Sequence, residues 1–241
     1  MRMPYLMMPL ELHSDGGLGA TAEAFEAAAN ALASNADTMQ TSHIHLPINF
    51  LYRHAIELFL KSMILVLHRT LRVAYGTNPH DGPAFVPVDG NWKPIFRVHS
   101  VAVLWARVSQ LIQAHASELR TRCRTDWQAT PDGLDDAIAS IETADASSTF
   151  FRYPDGRDTD AEKLKSSWKP KEPEDIAATL QQPNRAPAML ALFLHPDGET
   201  ISEAFQYDEA PLADLARLLA DTAKTLSAAH TGLRVELADG R

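Results

Sequence analysis

The chain has 241 residues, enough for one large domain with a real core, and its 45% hydrophobic and 22% charged content is that of an ordinary globular protein. A formal net charge of -9 repels polyanions and argues against general DNA coating, though a local basic patch could still meet RNA. The single cysteine, Cys123, excludes an internal disulfide and a multi-thiolate zinc site, which fits a reducing cytoplasm.

The opening MRMPYLMMPLELHSDGG lacks the pattern of a secretory signal. Residues 1–13 are read as extended, with a turn at Ser14–Gly17. A first helix is expected from Thr21, as N-cap, with Phe25 and Leu32 on one face. Pro47 suits the first turn of a second helix running to about Val73. Phe50–Leu67 within it approaches the length of a membrane span, but Arg53, Glu57, Lys61 and its histidines argue against one. Residues 75–95 read as a long loop punctuated by proline and glycine. A third helix is predicted over Ser100–Leu119, with Val101, Leu104, Val108, Leu111 and Ile112 as its core face, and a fourth over Asp132–Ala144. The stretch through Lys171 looks charged and exposed. Runs at Ala188–Leu194 and Thr200–Tyr207 flank HPDGE and predict a β-hairpin, an excursion over 186–208. Pro211 opens a last amphipathic helix, with Gly232 as its stop. The expectation is a single, mainly α domain over 1–241: a bundle of about five helices with a small late hairpin.

The second helix carries the most information. It is apolar almost all round except for Asn49, Arg53, Glu57 and Lys61, each one turn after the last, so that Arg53–Glu57–Lys61 can form two i,i+4 ion pairs. Charges on so apolar a helix need partners, which makes the seam either a structural network or the floor of a site. His99 and Ser100 at the mouth of the third helix, and Arg152 and Tyr153 after the fourth, could complete such a cleft. Arg53, Lys61 and Arg152 would offer positive charge to an anion, and Tyr153 a hydroxyl and a stacking face. Arg120, Arg122 and Arg124 with Trp127 form a second candidate, a patch that could follow a phosphate backbone or serve only as a solvated connection. His43, His45, His54, His80 and Asp81 show no recognised metal-ligand spacing, and no metal or cofactor is expected. Cys123 lacks a nearby partner that would make it a nucleophile.

The Arg-x-x-x-Glu-x-x-x-Lys helix, followed by His99-Ser100-Val101-Ala102-Val103-Leu104-Trp105 and by Phe151-Arg152-Tyr153-Pro154, resembles HEPN-like proteins over roughly residues 47–154. The resemblance implies an all-α bundle, homodimerisation, and a role in nucleotide or RNA metabolism, toxin–antitoxin pairs or phage defence. The nucleases of that family carry an Arg-polar-x(3–5)-His motif, with the histidine five to seven residues after the arginine. Here Arg107 and His115, and Arg72 and His80, are spaced too widely, so nuclease activity is not carried over. The expectation is a non-catalytic module that binds a nucleotide, RNA or protein partner through Asn49, Arg53, Glu57, Lys61, His99, Arg152 and Tyr153. The alternative is a metal-independent endoribonuclease or other hydrolase with His99 as general acid/base and Arg53 or Arg152 stabilising charge. A homodimer is expected because the second helix offers more apolar surface than one bundle obviously needs.

Overall fold

The computed structural model describes residues 5–39, 41–153, 159–172, 174–176 and 189–240. Pro154 and residues 186–188 of the expected hairpin excursion lie outside the described residues. The architecture is mainly helical, with two small antiparallel sheets. Five helices have twelve residues or more: α1 (Leu18–Asn35), α2 (His45–Thr70), α3 (Val101–Ala114), α5 (Leu134–Asp145) and α7 (Ala213–Leu237). Two short ones, α4 (Ala116–Arg122) and α6 (Thr159–Lys165), add to the expected five. Among the described residues no helix is long and apolar enough to cross a membrane.

α2 is the axis of the fold, packed by α1, α3 and α7. From Ile48 to His68 nearly every side chain is buried, because a helix that is apolar all round can be stable only when neighbours cover it all round. α1 approaches closely through Gly19, Ala22 and Ala29, its buried small residues. It begins at Leu18 rather than Thr21 because Asp15 caps it, accepting the Gly17 N–H at 2.9 Å and the Gly19 N–H at 2.6 Å. Residues 1–4 of the segment before it lie outside the described residues, and from Tyr5 on it is not extended: Tyr5–Met7 and Leu10–Leu12 are 3-10 turns, drawn in by the buried Tyr5 ring under the Arg234 guanidinium, 3.6 Å from its centroid.

α3 buries Val101, Leu104, Val108, Leu111 and Ile112, and Ser100 caps it by accepting the Val103 N–H at 3.1 Å. The helical run breaks at His115. The bend brings Leu119 into the core and lets Arg122 donate to the carbonyl of Thr70, at the C-terminus of α2. α7 continues through Gly232, which is not its stop. There the missing side chain makes room for Trp127, whose ring would lie 3.0 Å from a Cβ at that position.

The 75–95 segment contains a hairpin, β1 (Phe85–Val88) paired with β2 (Asn91–Pro94), Val88 opposite Asn91. Its turn, Asp89-Gly90, has positive φ at both residues, the conformation that matches the twist of a tight hairpin. The second sheet has β5 (Ile201–Tyr207) in the centre, β4 (Leu190–Leu194) on one side and β3 (Trp168–Lys171) on the other, all antiparallel. β4 and β5 are the two runs expected around HPDGE. β3 falls in the stretch expected to be exposed; Pro170 is tolerated there because the strand lies on a sheet edge. Lys165, in the same stretch, is buried.

Candidate functional site: an ion network on the central helix

Asn49, Arg53, Glu57 and Lys61 line one side of α2, and all four are buried, at 0–3% exposure. Helical spacing puts them in a row; the turn before α3 meets them at Arg53 and Glu57, and the end of α5 meets them at Arg53. Glu57 is the hub. Its Oε1 accepts from Lys61 Nζ at 2.6 Å and from His99 Nδ1 at 3.1 Å, and its Oε2 accepts from Arg53 Nη1 at 3.5 Å. One carboxylate thus faces two cations and an imidazole. Arg53 has further partners: its Nη2 donates to the carbonyl of His99 at 2.7 Å and to that of Asp145 at 3.2 Å. The guanidinium therefore clamps α2 to the residue preceding the α3 cap and to the last residue of α5. Burial pulls the Arg53 pKa down, and the charge of Glu57 opposes it.

His99 is the open member, its side chain 47% exposed. A carboxylate can only accept, so the contact with Glu57 places a His99 proton on Nδ1. Nε2 makes no hydrogen bond among the described residues. Asn49, one turn above Arg53, has neither its amide oxygen nor its nitrogen partnered among the described residues, and the same holds for Arg53 Nε.

Arg152 and Tyr153 are not in this cluster. Arg152 donates from Nε to the Ser148 carbonyl at 2.5 Å, and its guanidinium lies 5.6 Å from the Phe50 ring and 5.5 Å from that of Tyr153. Phe50 sits one residue beyond Asn49, about 100° further round the helix, so Arg152 rests on the flank of the seam. There it lines a separate cavity of about 320 Å³ with Tyr153, His43, Phe150 and Lys165. Lys165 is anchored by the Tyr153 carbonyl at 3.1 Å and Glu162 at 2.5 Å, with Phe150 4.4 Å from its ammonium.

Arg120, Arg122 and Arg124 of the basic patch are all exposed. Arg120 donates to Gln128 at 2.8 Å, and Arg122 to Thr70 and Glu118. Trp127 turns inward, its indole N–H on Glu236 at 3.0 Å. Cys123 has its pKa raised by burial and by Glu236, the opposite of an activated thiol. Among the described residues no group of three His, Cys, Asp or Glu side chains could hold a metal ion.

Two features escaped the sequence reading. One is a buried centre joining three elements: Asp15, Ser62 of α2 and His230 of α7 are all at 0% exposure. Asp15 accepts from Ser62 at 2.5 Å and lies 3.6 Å from His230, which faces Glu23 at 4.0 Å on its other nitrogen. Burial alone would raise the Asp15 pKa, but His230, Ser62 and the Gly19 and Gly17 N–H groups together hold it well below the usual carboxylate range. The carboxylate stands between serine and histidine, so Ser62 lacks a base and this centre is not a nucleophilic triad. The Gly-Gly-x-Gly run after Asp15 was its only sequence signal. The other is a cavity of about 700 Å³ between α3, α5 and α7.

Comparison with known protein families, curated proteins and solved structures gave no match to this chain.

Proposed function

We propose that this chain is a HEPN-like helical module that binds a nucleotide, RNA or protein partner without cleaving it, in a stress, toxin–antitoxin or phage-defence setting. The observation that carries the non-catalytic reading is the closure of the Glu57 network. Arg53 is enclosed and bonded to two main-chain carbonyls, and Lys61 is held on Glu57, so neither cation is free to meet developing charge on a phosphate. Arg152, exposed beside Tyr153 at the rim of the 320 Å³ cavity, supports contact with an anionic partner there. Purified protein should leave RNA intact and bind short RNAs or nucleotides in a salt-dependent way, weakened by Arg152→Glu. Cleavage that survives purification and disappears in a point variant of His99 would overturn the reading.

A second reading, a metal-independent endoribonuclease or other hydrolase using His99 with Arg53 or Arg152, is favoured by the Glu57–His99 contact, which fixes the ring tautomer and leaves Nε2 available as an acid/base. The proposal extends to a cytoplasmic homodimer. α2 offers no free apolar face for it, because its own neighbours cover it. The exposed Leu192, Phe193 and Leu194 of the edge strand β4 support self-association instead. Light scattering should give a dimer that Phe193→Lys converts to monomer; a parent that is monomeric at micromolar concentration rejects it.

A further inference from the structure

The 700 Å³ cavity shares no residue with the Glu57 network or with the Arg152 rim, and its size is that of a small-molecule site. Its floor is apolar, reaching Met63 of α2. Trp105 and Trp127 contribute to its walls. Each indole N–H is tied to a carboxylate, Trp105 to Asp135 at 2.6 Å and Trp127 to Glu236 at 3.0 Å. With their donors occupied, the rings offer π faces and hydrocarbon edges and no hydrogen bond. Glycine is a poor residue for a helix interior, and at position 232 its bare backbone is what admits Trp127. At the mouth, Ser109, Gln113, Asp221 and Lys224 have side chains that make no hydrogen bond or ion pair among the described residues.

Aromatic walls select a flat ring, and uncommitted donors and acceptors at the mouth select a polar ring edge. The charge disfavours phosphate. Asp126 and Asp221 line the cavity and Asp135 and Glu236 stand behind the indoles, against Lys224 among the described lining residues and Arg120, which reaches the lining Gln128 at 2.8 Å. We propose that this cavity is a binding site for an unphosphorylated, neutral or cationic planar heteroaromatic compound of about nucleoside size, held on Trp105 and Trp127. The site goes beyond the function proposed above and stands or falls separately from it.

The test is calorimetric titration of the full chain with adenosine, guanosine, cytidine and their 5′-monophosphates, with the indole N–H resonances followed by NMR. At least one nucleoside should bind saturably below millimolar concentration, shift the Trp105 and Trp127 signals, and bind at least tenfold more tightly than its monophosphate. Trp105→Leu and Trp127→Leu should each weaken binding by about tenfold. Asp221→Lys, at an exposed helix position that leaves the fold intact, should narrow the preference over the monophosphate severalfold. Absence of binding by all three nucleosides at millimolar concentration, equal affinity for the monophosphates, or binding that shifts neither indole overturns the proposal. RNA binding lost through Arg152→Glu while nucleoside binding persists separates this site from the one proposed above.

Discussion

Replacing Glu57 by glutamine keeps the shape of the side chain and removes the one negative charge that Arg53, Lys61 and His99 share at 3.5, 2.6 and 3.1 Å. At an effective dielectric of about 20, each of the two cation contacts is worth roughly 5 kcal/mol of attraction, most of it offset by the cost of burying the charges. Removing one partner leaves that cost without the attraction. The expected loss is therefore about 3–5 kcal/mol, a large share of the 5–15 kcal/mol that holds a domain folded, and roughly 10 °C in melting temperature. Urea unfolding followed by tryptophan fluorescence measures it. Because the pair is buried, the loss should change little between low and high salt. Replacing all three charges together, Arg53→Met with Glu57→Leu and Lys61→Met, should cost less than Glu57→Gln alone, since the three charges of the network go together and the losses are the donors to the His99 and Asp145 carbonyls and the acceptor of the half-exposed His99 ring. A Glu57→Gln loss under about 1 kcal/mol, or a triple variant less stable than the single one, would refute the reasoning.

Asn49→Leu replaces a buried amide with no partner among the described residues by an apolar group of similar size, and should leave stability unchanged or raise it by about 1 kcal/mol in the same assay. Gly19→Ala would place a methyl group 2.2 Å from His230 Nε2 and 2.7 Å from Asp15, so it should destabilise by more than about 2 kcal/mol even though alanine favours helix by about 1 kcal/mol. His68 is wholly buried, with Nδ1 on the Val73 carbonyl at 2.7 Å and Arg107 donating to Nε2 at 3.0 Å; burial, opposed by the carbonyl, pushes its pKa down to about 4. The unfolded chain then binds the proton more readily. Stability should fall as pH drops from about 6.5 to 4, by on the order of 2 kcal/mol from this group, and His68→Gln should flatten that part of the profile.

Local spacing made much of the fold legible. The α3 face follows from apolar residues three and four apart, and the row from Asn49 to Lys61 follows from the same arithmetic on α2. What could not be read depended on residues far apart in sequence. The start of α1 is set by an aspartate three residues upstream of the helix, and His230 looked unremarkable until α7 brought it beside Asp15. β1 and β2 had a readable signal in Asp89-Gly90 between Val88 and Asn91, masked by the prolines on either side. β3 carries lysines and a proline, and only its pairing with β5 makes it a strand. Arg152 was grouped with the seam because charge pattern alone does not say which flank of a helix a later loop will cover.

α2 at the axis also bears on how this polypeptide is made. Its covers arrive in order, α1 before it, α3 some thirty residues after it, and α7 only beyond Ala213. At a ribosomal rate of about 5–20 residues per second, one greasy side of α2 waits on the order of ten seconds for its final neighbour. During that interval a nascent chain is open to chaperones and to mistaken association, which makes late-arriving α7 the element whose docking closes the window.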